Sequence, residues 1–374
     1  MTRPRFALGW ILPVVLTLTF AADLIAHALP TEWVAFRAWE VVNRYPVGEG
    51  RFTPNRRYVS ATSYGDLASL ANRPDWRRYR SGESFTTDAF GFRRNPNGAN
   101  DGRADDLLLG DSFAAGSGVN DDETLAVAMQ DALGRRVYNG AEIAIDLRHV
   151  EPVIDRLGMT GGTVYYEYLE RNPLPGAASV RTHSALEGTA LYAPLHAGLK
   201  AWNGFWDVCP FTIWAHTAYK HVQNDRVLPN PYAAGVRALS LRTGERLLVM
   251  PQEIASFTAT RSIDVSGILL LQSALSARGI ALRVVLTPEK YTVYAPLLAD
   301  APTDPPQLYL DRVEAALRAA HVPVVNLLPA LRRAAADALD HGAPPYLLDD
   351  THWSPAGGRV AAAAIAAAGD ANGR

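Results

Sequence analysis

Short apolar runs alternate with longer amphipathic segments over most of the chain after residue 105. The short runs have the length and apolar content of buried strands, and they lie at 106–109, 136–141, 162–169, 282–287 and 322–327. The longer segments have helical spacing, at 122–134, 147–157, 263–281, 305–320, 329–340 and 358–368. Because strand and helix alternate, we expect an α/β fold with three layers, in which a mainly parallel sheet carries helices on both faces.

The first 29 residues have a different pattern. A basic start, with Arg3 and Arg5, precedes residues 6–22, which carry no charge, and apolar residues continue to Leu29 with two interruptions. This pattern is typical of a cleaved signal peptide, with small residues near 26–28, or of an uncleaved transmembrane helix. The length of the apolar stretch favours the helix as a membrane anchor. A buried core helix is disfavoured because the segment has no polar face.

Either export signal places the bulk of the chain outside the cytoplasm, since the basic residues stay inside. We expect a single-pass protein of the inner membrane with its remaining domain in the periplasm or outside the cell. The predicted organisation is an anchor or signal segment at 1–29, an extension and linker at 30–105, and an α/β domain at 106–374. Residues 174–262 interrupt that domain as a helical insertion, whose aromatic run at 186–221 packs on the core or forms a platform for sugar rings.

Composition excludes several classes of protein. The formal net charge is -2 over 374 residues, and 48% of the residues are hydrophobic, so a globular protein without a nucleic-acid partner is expected. The single cysteine, Cys209, rules out an intramolecular disulfide and a cysteine metal cluster. The histidines lack the spacing of metal ligands. We therefore expect no cofactor and no metal.

The most informative stretch is Leu107-Leu-Leu-Gly-Asp-Ser-Phe113, where a buried strand runs into a tight turn and a helix start. A serine at such a turn is exposed at the end of a strand, but its hydroxyl is a poor nucleophile without a base. The other end of the chain supplies a histidine and two carboxylates, in Asp349-Asp350-Thr351-His352-Trp353. A serine, a histidine and an aspartate together indicate acyl transfer.

Gly-Asp-Ser at one end and Asp with His at the other resemble the first and last blocks of the SGNH/GDSL hydrolase superfamily. The resemblance implies Ser112 as nucleophile, His352 as base and an aspartate that orients the imidazole. Asp350 and Asp349 each fit one spacing found in the superfamily, and we favour Asp350. The resemblance also implies oxyanion donors, which would be Ser112, Gly140 and Asn172, with Arg171 as an alternative donor beside Asn172.

Two further segments resemble the alginate O-acetyltransferase branch of that superfamily. They are Pro288-Glu-Lys290 with Tyr294, and Asp350-Thr-His-Trp353. The resemblance implies that Lys290, Tyr294 and Trp353 line a polysaccharide site. One feature departs from the branch: in the secreted alginate transferases the Asp-His motif precedes the serine, and here it follows the serine.

We therefore expect an exported, serine-dependent acyl-ester enzyme, either an O-acetyltransferase or an acetylesterase, that acts on a cell-surface polysaccharide through an acyl-serine intermediate. A transferase outside the cytoplasm cannot use cytosolic acetyl-CoA, so the resemblance implies a membrane-bound O-acyltransferase partner as acetyl donor. The alternative is a non-catalytic polysaccharide-binding or assembly subunit on the same scaffold. A lipase-like enzyme is disfavoured because the sequence shows no apolar flap.

Overall fold

The computed structural model describes residues 7–28, 37–38, 52, 54–71, 73–96, 102–143, 145–180, 235–305 and 307–371. Its described strands are β1 Arg57–Ser63, β2 Arg80–Thr86, β3 Asp106–Leu109, β4 Val137–Asn139, β5 Thr163–Leu169, β6 Arg237–Ser240, β7 Arg246–Val249, β8 Ala281–Thr287 and β9 Val324–Asn326. Its described α-helices are α1 Ala7–Ala28, α2 Asp66–Leu70, α3 Ser112–Ala115, α4 Leu125–Leu133, α5 Leu147–Arg156, α6 Pro251–Phe257, α7 Ser266–Ser276, α8 Lys290–Tyr294, α9 Tyr309–Ala319, α10 Leu328–His341 and α11 Pro355–Ala371.

A five-stranded sheet forms the centre of the fold, in the order β4-β3-β5-β8-β9. All four of its strand pairings are parallel. The mixed α/β architecture with a parallel sheet is the predicted one. Every residue of β3 is buried, which explains why the strand reads as an unbroken apolar run rather than an alternating one.

Helices cover both faces of the sheet. Leu108 points to one face, where it shares a core with residues of α4, α10 and α11. Leu107 and Leu109 point to the other face, where the core includes residues of α5, α7 and α9. The alternation of side chains along one strand therefore joins the sheet to two helical layers, as the sequence predicts.

The described part of the region predicted as an extension and linker contains strands and an α-helix. β1 and β2 pair as an antiparallel hairpin, and α2 follows β1. The α2 backbone is joined to the C-terminal segment, since Ala68 N–H donates to the Asp349 carbonyl over 3.2 Å. This contact brings residues from the first quarter of the chain to the segment that holds His352.

The predicted aromatic run at 186–221 lies outside the described residues. Of the predicted insertion at 174–262, the structure describes 174–180 and 235–262. The latter part contains α6 and the antiparallel hairpin of β6 and β7, whose strands are joined by residues 241–245.

Helix α1 forms at the predicted apolar segment, and large apolar side chains along it are exposed, including Trp10, Ile11, Leu16 and Phe20. A search of the described residues nevertheless finds no helix that is both long and apolar enough to cross a membrane. The membrane anchor therefore stays a prediction.

Candidate active site

Ser112 lies directly after β3, at the carboxyl edge of the sheet, where ligands bind in open α/β folds. Asp111 caps the short helix α3, because its Oδ1 accepts the Phe113 N–H over 3.0 Å. Gly110 allows the chain to turn close to β5. A Cβ at that position would lie 2.6 Å from Glu167 Oε2 and 2.8 Å from the Ala114 Cβ. Glycine at position 110 is therefore what this turn requires sterically.

The C-terminal segment brings His352 to Ser112. His352 Nε2 lies 2.8 Å from Ser112 Oγ, and His352 Nδ1 lies 2.7 Å from Asp350 Oδ1. Because an ionised carboxylate only accepts hydrogen bonds, Nδ1 carries the proton and Nε2 accepts from the serine hydroxyl. The Phe113 ring packs against the imidazole with centroids 5.0 Å apart. The structure thus joins three residues from opposite ends of the chain in one hydrogen-bonded relay.

The two neighbouring aspartates have different partners. Asp350 contacts His352 through both the imidazole and the His352 backbone N–H, at 2.7 and 3.0 Å. Asp349 points away, and its carboxylate accepts the Gly65 and Arg78 backbone N–H groups and the Arg80 guanidinium, at 2.8 to 2.9 Å. The favoured candidate, Asp350, is the one in contact with the histidine, and Asp349 anchors the segment to the N-terminal extension.

The environment of Asp350 keeps it ionised. Burial acts to raise the pKa of this carboxyl. Charge attraction from Arg37 and the hydrogen bond from His352 outweigh burial, so the pKa lies well below its ordinary value. Arg37 Nη1 donates to Asp350 Oδ2 over 3.0 Å in a buried ion pair.

Sequence reasoning missed Arg37 and Asp66 at this site. The Asp66 N–H also donates to Asp350 Oδ2, over 2.9 Å, and the Asp66 carboxylate accepts from the Thr351 backbone and hydroxyl. No local motif marks either residue, because their contacts span about three quarters of the chain. A folded structure is needed to find them.

The predicted oxyanion donors differ in whether their N–H groups are already hydrogen-bonded or paired. Gly140 is unsuited to the role because its N–H donates to the Leu108 carbonyl over 2.8 Å, as β4 pairing continues past Asn139. Asn172 lies beside the serine turn, where its Nδ2 donates to Asp111 Oδ2 over 3.2 Å. Arg171 is engaged through its Nε, which pairs with the buried Glu289 over 3.0 Å. Ser112 and Asn172 remain the candidates.

The predicted sugar contacts do not fit the burial of their side chains. Lys290 is fully buried, and its Nζ donates to the Asp350 carbonyl over 2.6 Å. Tyr294 and Trp353 are buried in the core with Tyr346. An ammonium that satisfies carbonyls of the 347–350 segment supports the loop that holds His352. Among the described residues, these three side chains therefore do not line a polysaccharide surface.

Asp66, Asp350 and His352 form the one group of possible metal ligands found within the described part of the chain. Their oxygen atoms already accept hydrogen bonds. Both Asp350 oxygens take two donors each, and the two Asp66 oxygens take Thr351 N–H and Oγ1. These hydrogen bonds already occupy the carboxylate oxygens. A cation bound here would have to compete with the Arg37 guanidinium for Asp350.

Position 65 has room only for glycine. A Cβ at this position would lie 1.9 Å from the Asp349 carbonyl oxygen. We expect Gly65→Ala to destabilise the fold by about 3 kcal/mol and to displace the segment that holds His352. Gly161→Ala is the matched control, because its Cβ would meet nothing closer than the Gly279 oxygen at 4.0 Å. Thermal unfolding and ester turnover of both variants test the expectation, and equal melting temperatures would contradict it.

Glu170 is a buried carboxylate directly after the last residue of β5. Burial raises the pKa of Glu170 to about 7. Glu170 Oε2 accepts the Glu289 N–H over 2.8 Å, and its other oxygen has no hydrogen-bond partner in the described structure. The native state therefore holds the Glu170 proton up to about pH 7, whereas the unfolded chain releases it near pH 4.5.

Between about pH 4.5 and about pH 7 the unfolded chain has lost the Glu170 proton while the native state keeps it. The free energy of unfolding therefore falls by about 3 kcal/mol in total as the pH rises through this range. Gln at this position keeps the acceptor and cannot ionise. We expect Glu170→Gln to match the wild type at pH 5 and to be more stable at pH 8. Chemical denaturation at both pH values checks this, and an equal difference at the two values would contradict the account.

The mixed α/β fold with its parallel five-stranded sheet is consistent with an SGNH-like fold, and a serine, a histidine and an aspartate are in contact at the carboxyl edge of the sheet. Comparison with known families agrees. Residues 252–373 match the family described as "ALGX: SGNH hydrolase-like domain, acetyltransferase AlgX", which supports an SGNH/AlgX-like branch. The matched part contains Asp350 and His352, and Ser112 lies outside it.

Other comparisons add little. No curated protein matches the chain. One solved crystal structure aligns with 72% of this chain and 97% of its own, at 15% identity and a TM-score of 0.32.

Proposed function

We propose that the chain is an exported, serine-dependent acyl-ester enzyme that moves or removes acetyl groups on a cell-surface polysaccharide. The observation that carries the proposal is the relay in which Ser112 Oγ, His352 and Asp350 are joined at 2.8 and 2.7 Å. The match of 252–373 to an acetyltransferase family supports the acyl chemistry. A non-catalytic scaffold has no need for this alignment of three side chains.

In the proposed reaction Ser112 Oγ attacks the ester carbonyl while His352 Nε2 takes the hydroxyl proton. Asp350 stabilises the imidazolium that forms. The tetrahedral oxyanion would lie near the Ser112 N–H and the Asn172 amide. His352 then returns the proton to the leaving alkoxide, which leaves an acyl-serine. In the second half, His352 deprotonates the acceptor as its oxygen attacks the acyl carbonyl. The acyl–Oγ bond then breaks, and His352 returns the proton to Ser112 Oγ.

The acceptor decides between the two activities. Water makes the protein an acetylesterase, and a sugar hydroxyl makes it an O-acetyltransferase. We favour transfer because the matched family is described as an acetyltransferase. A transferase would receive its acetyl group from a membrane-bound O-acyltransferase partner. The exposed apolar side chains of α1 support a membrane location for the N-terminal segment.

One assay distinguishes the activities. The full chain is given a chromogenic acetyl ester with and without a panel of oligosaccharides, beside a Ser112→Ala control. Serine-dependent release that yields acetylated oligosaccharide establishes transfer. Release that no oligosaccharide diverts favours hydrolysis. Absence of release from the wild type, together with tight oligosaccharide binding, would overturn the enzymatic proposal in favour of the scaffold.

A further inference from the structure

Only one oxygen of the Asp350 carboxylate, Oδ1, contacts His352. Its Oδ2 accepts the Arg37 guanidinium at 3.0 Å and the Asp66 N–H at 2.9 Å. Both donors come from the N-terminal extension. Arg37 is buried, with 4% of its surface exposed, so solvent screens its charge weakly. A positive charge thus faces the carboxylate from the side opposite His352.

A negative charge lies beside the same pair. Asp66 Oδ2 is 3.9 Å from His352 Nδ1. The Asp66 carboxylate is held there by the Thr351 N–H at 2.8 Å and the Thr351 hydroxyl at 3.0 Å. The extension therefore presents one cation and one anion to Asp350 and His352, each fixed by hydrogen bonds.

We propose that Arg37 and Asp66 are positioning residues that bias the charge of the Asp350–His352 pair in opposite directions. Arg37 neutralises part of the Asp350 charge and so weakens the stabilisation of an imidazolium. Asp66 adds a negative charge near Nδ1 and so strengthens it. The consequence for turnover rests on the proposed function, whereas the effect on the imidazole is a property of the folded protein alone.

Other charged groups face the pair and stay unchanged in the test. Arg80 Nη2, on β2, lies 3.9 Å from Asp350 Oδ2. Glu83, also on β2, is buried, and its interaction with Asp350 helps to raise its pKa after the larger effect of burial. Burial and the Asp350 charge likewise raise the pKa of Asp66, so its effect is tested above neutral pH as well as below it.

The experiment is an NMR titration of the His352 imidazole in the full chain from pH 5 to 9, assigned with a His352→Gln spectrum. Because Arg37 contributes a positive charge and Asp66 a negative one, Arg37→Met should move the imidazole titration to higher pH, and Asp66→Asn should move it to lower pH. The double variant should titrate near the wild type. Arg73→Met and Asp75→Asn, which break an exposed ion pair elsewhere on the extension, should leave the titration in place.

The shifts of the imidazole titration in the two variants must have opposite signs, because a general loosening of the site would shift the titration of both variants in the same direction. Shifts of the same sign, or no shift for Asp66→Asn, would overturn the proposal. Arg37→Lys retains the charge and should restore the wild-type titration, which covers the case in which Arg37→Met does not fold. If the protein turns over esters, the acidic limb of kcat/KM against pH should move with the titration. Absence of turnover would reject the proposed function and leave this test intact.

Discussion

Ser112→Ala is expected to lower acyl-ester turnover by about 10⁴-fold or more without loss of the folded state. The hydroxyl is the atom that His352 Nε2 contacts at 2.8 Å, and alanine leaves the imidazole without a nucleophile to activate. The substitution removes one oxygen from a half-buried position, so little packing is lost. Steady-state kinetics with a chromogenic acetyl ester, together with thermal unfolding, measure the two effects.

A second serine in the same loop provides the control. Ser117 is buried five residues further on, and its hydroxyl has no hydrogen-bond partner within the described structure. Ser117→Ala should therefore keep turnover within a few-fold of the wild type. Equal losses in both variants would indicate that the loop, rather than the Ser112 hydroxyl, determines the activity.

Substitution of the two aspartates should affect different properties, turnover for Asp350 and stability for Asp349. Asp350→Asn is expected to lower kcat by about 10⁴-fold, because an amide donates to Nδ1 in one of its orientations and no longer favours the productive tautomer. Asp349→Asn is expected to keep kcat within about tenfold for the folded protein. It should lower the free energy of unfolding by about 2 kcal/mol, because the amide keeps one oxygen for the two backbone N–H groups that donate to Oδ2 and places an NH2 group against the Arg80 guanidinium.

Kinetics and denaturation of the two variants side by side check this expectation. A large kcat loss for Asp349→Asn with near-normal activity for Asp350→Asn would reverse the assignment. The comparison is well matched because both changes replace one carboxylate oxygen in adjacent buried residues.

Much of the sheet and the main contacts of the site could be predicted from local patterns. The apolar run before Gly110 and the amphipathic segments after it predict parallel strands and covering helices, and these are what form. Ser112 and His352 could be paired because both follow from short motifs whose chemistry is complementary. Local patterns succeed here because strand burial and turn sterics are properties of a few neighbouring residues.

Contacts over long distances in the sequence explain the differences. Gly140 has the residue type of an oxyanion donor, but strand pairing with Leu108 takes its N–H. Lys290 is predicted to line a polysaccharide site, but the Asp350 carbonyl to which its ammonium donates belongs to a segment 60 residues away. Arg37 and Asp66 carry no motif at all. Their roles depend on how the N-terminal hairpin region packs against residues 349–352, which no local pattern encodes.

The most direct test of the central claim is labelling with a fluorophosphonate probe, which reacts with serines that a neighbouring base activates. The full chain is treated with the probe, digested and analysed by mass spectrometry, beside a His352→Gln variant. The relay predicts one major adduct, on the peptide that contains Ser112, and its loss in the variant. Ester turnover without labelling of Ser112, or equal labelling with and without His352, would contradict the assignment of Ser112 as an activated nucleophile.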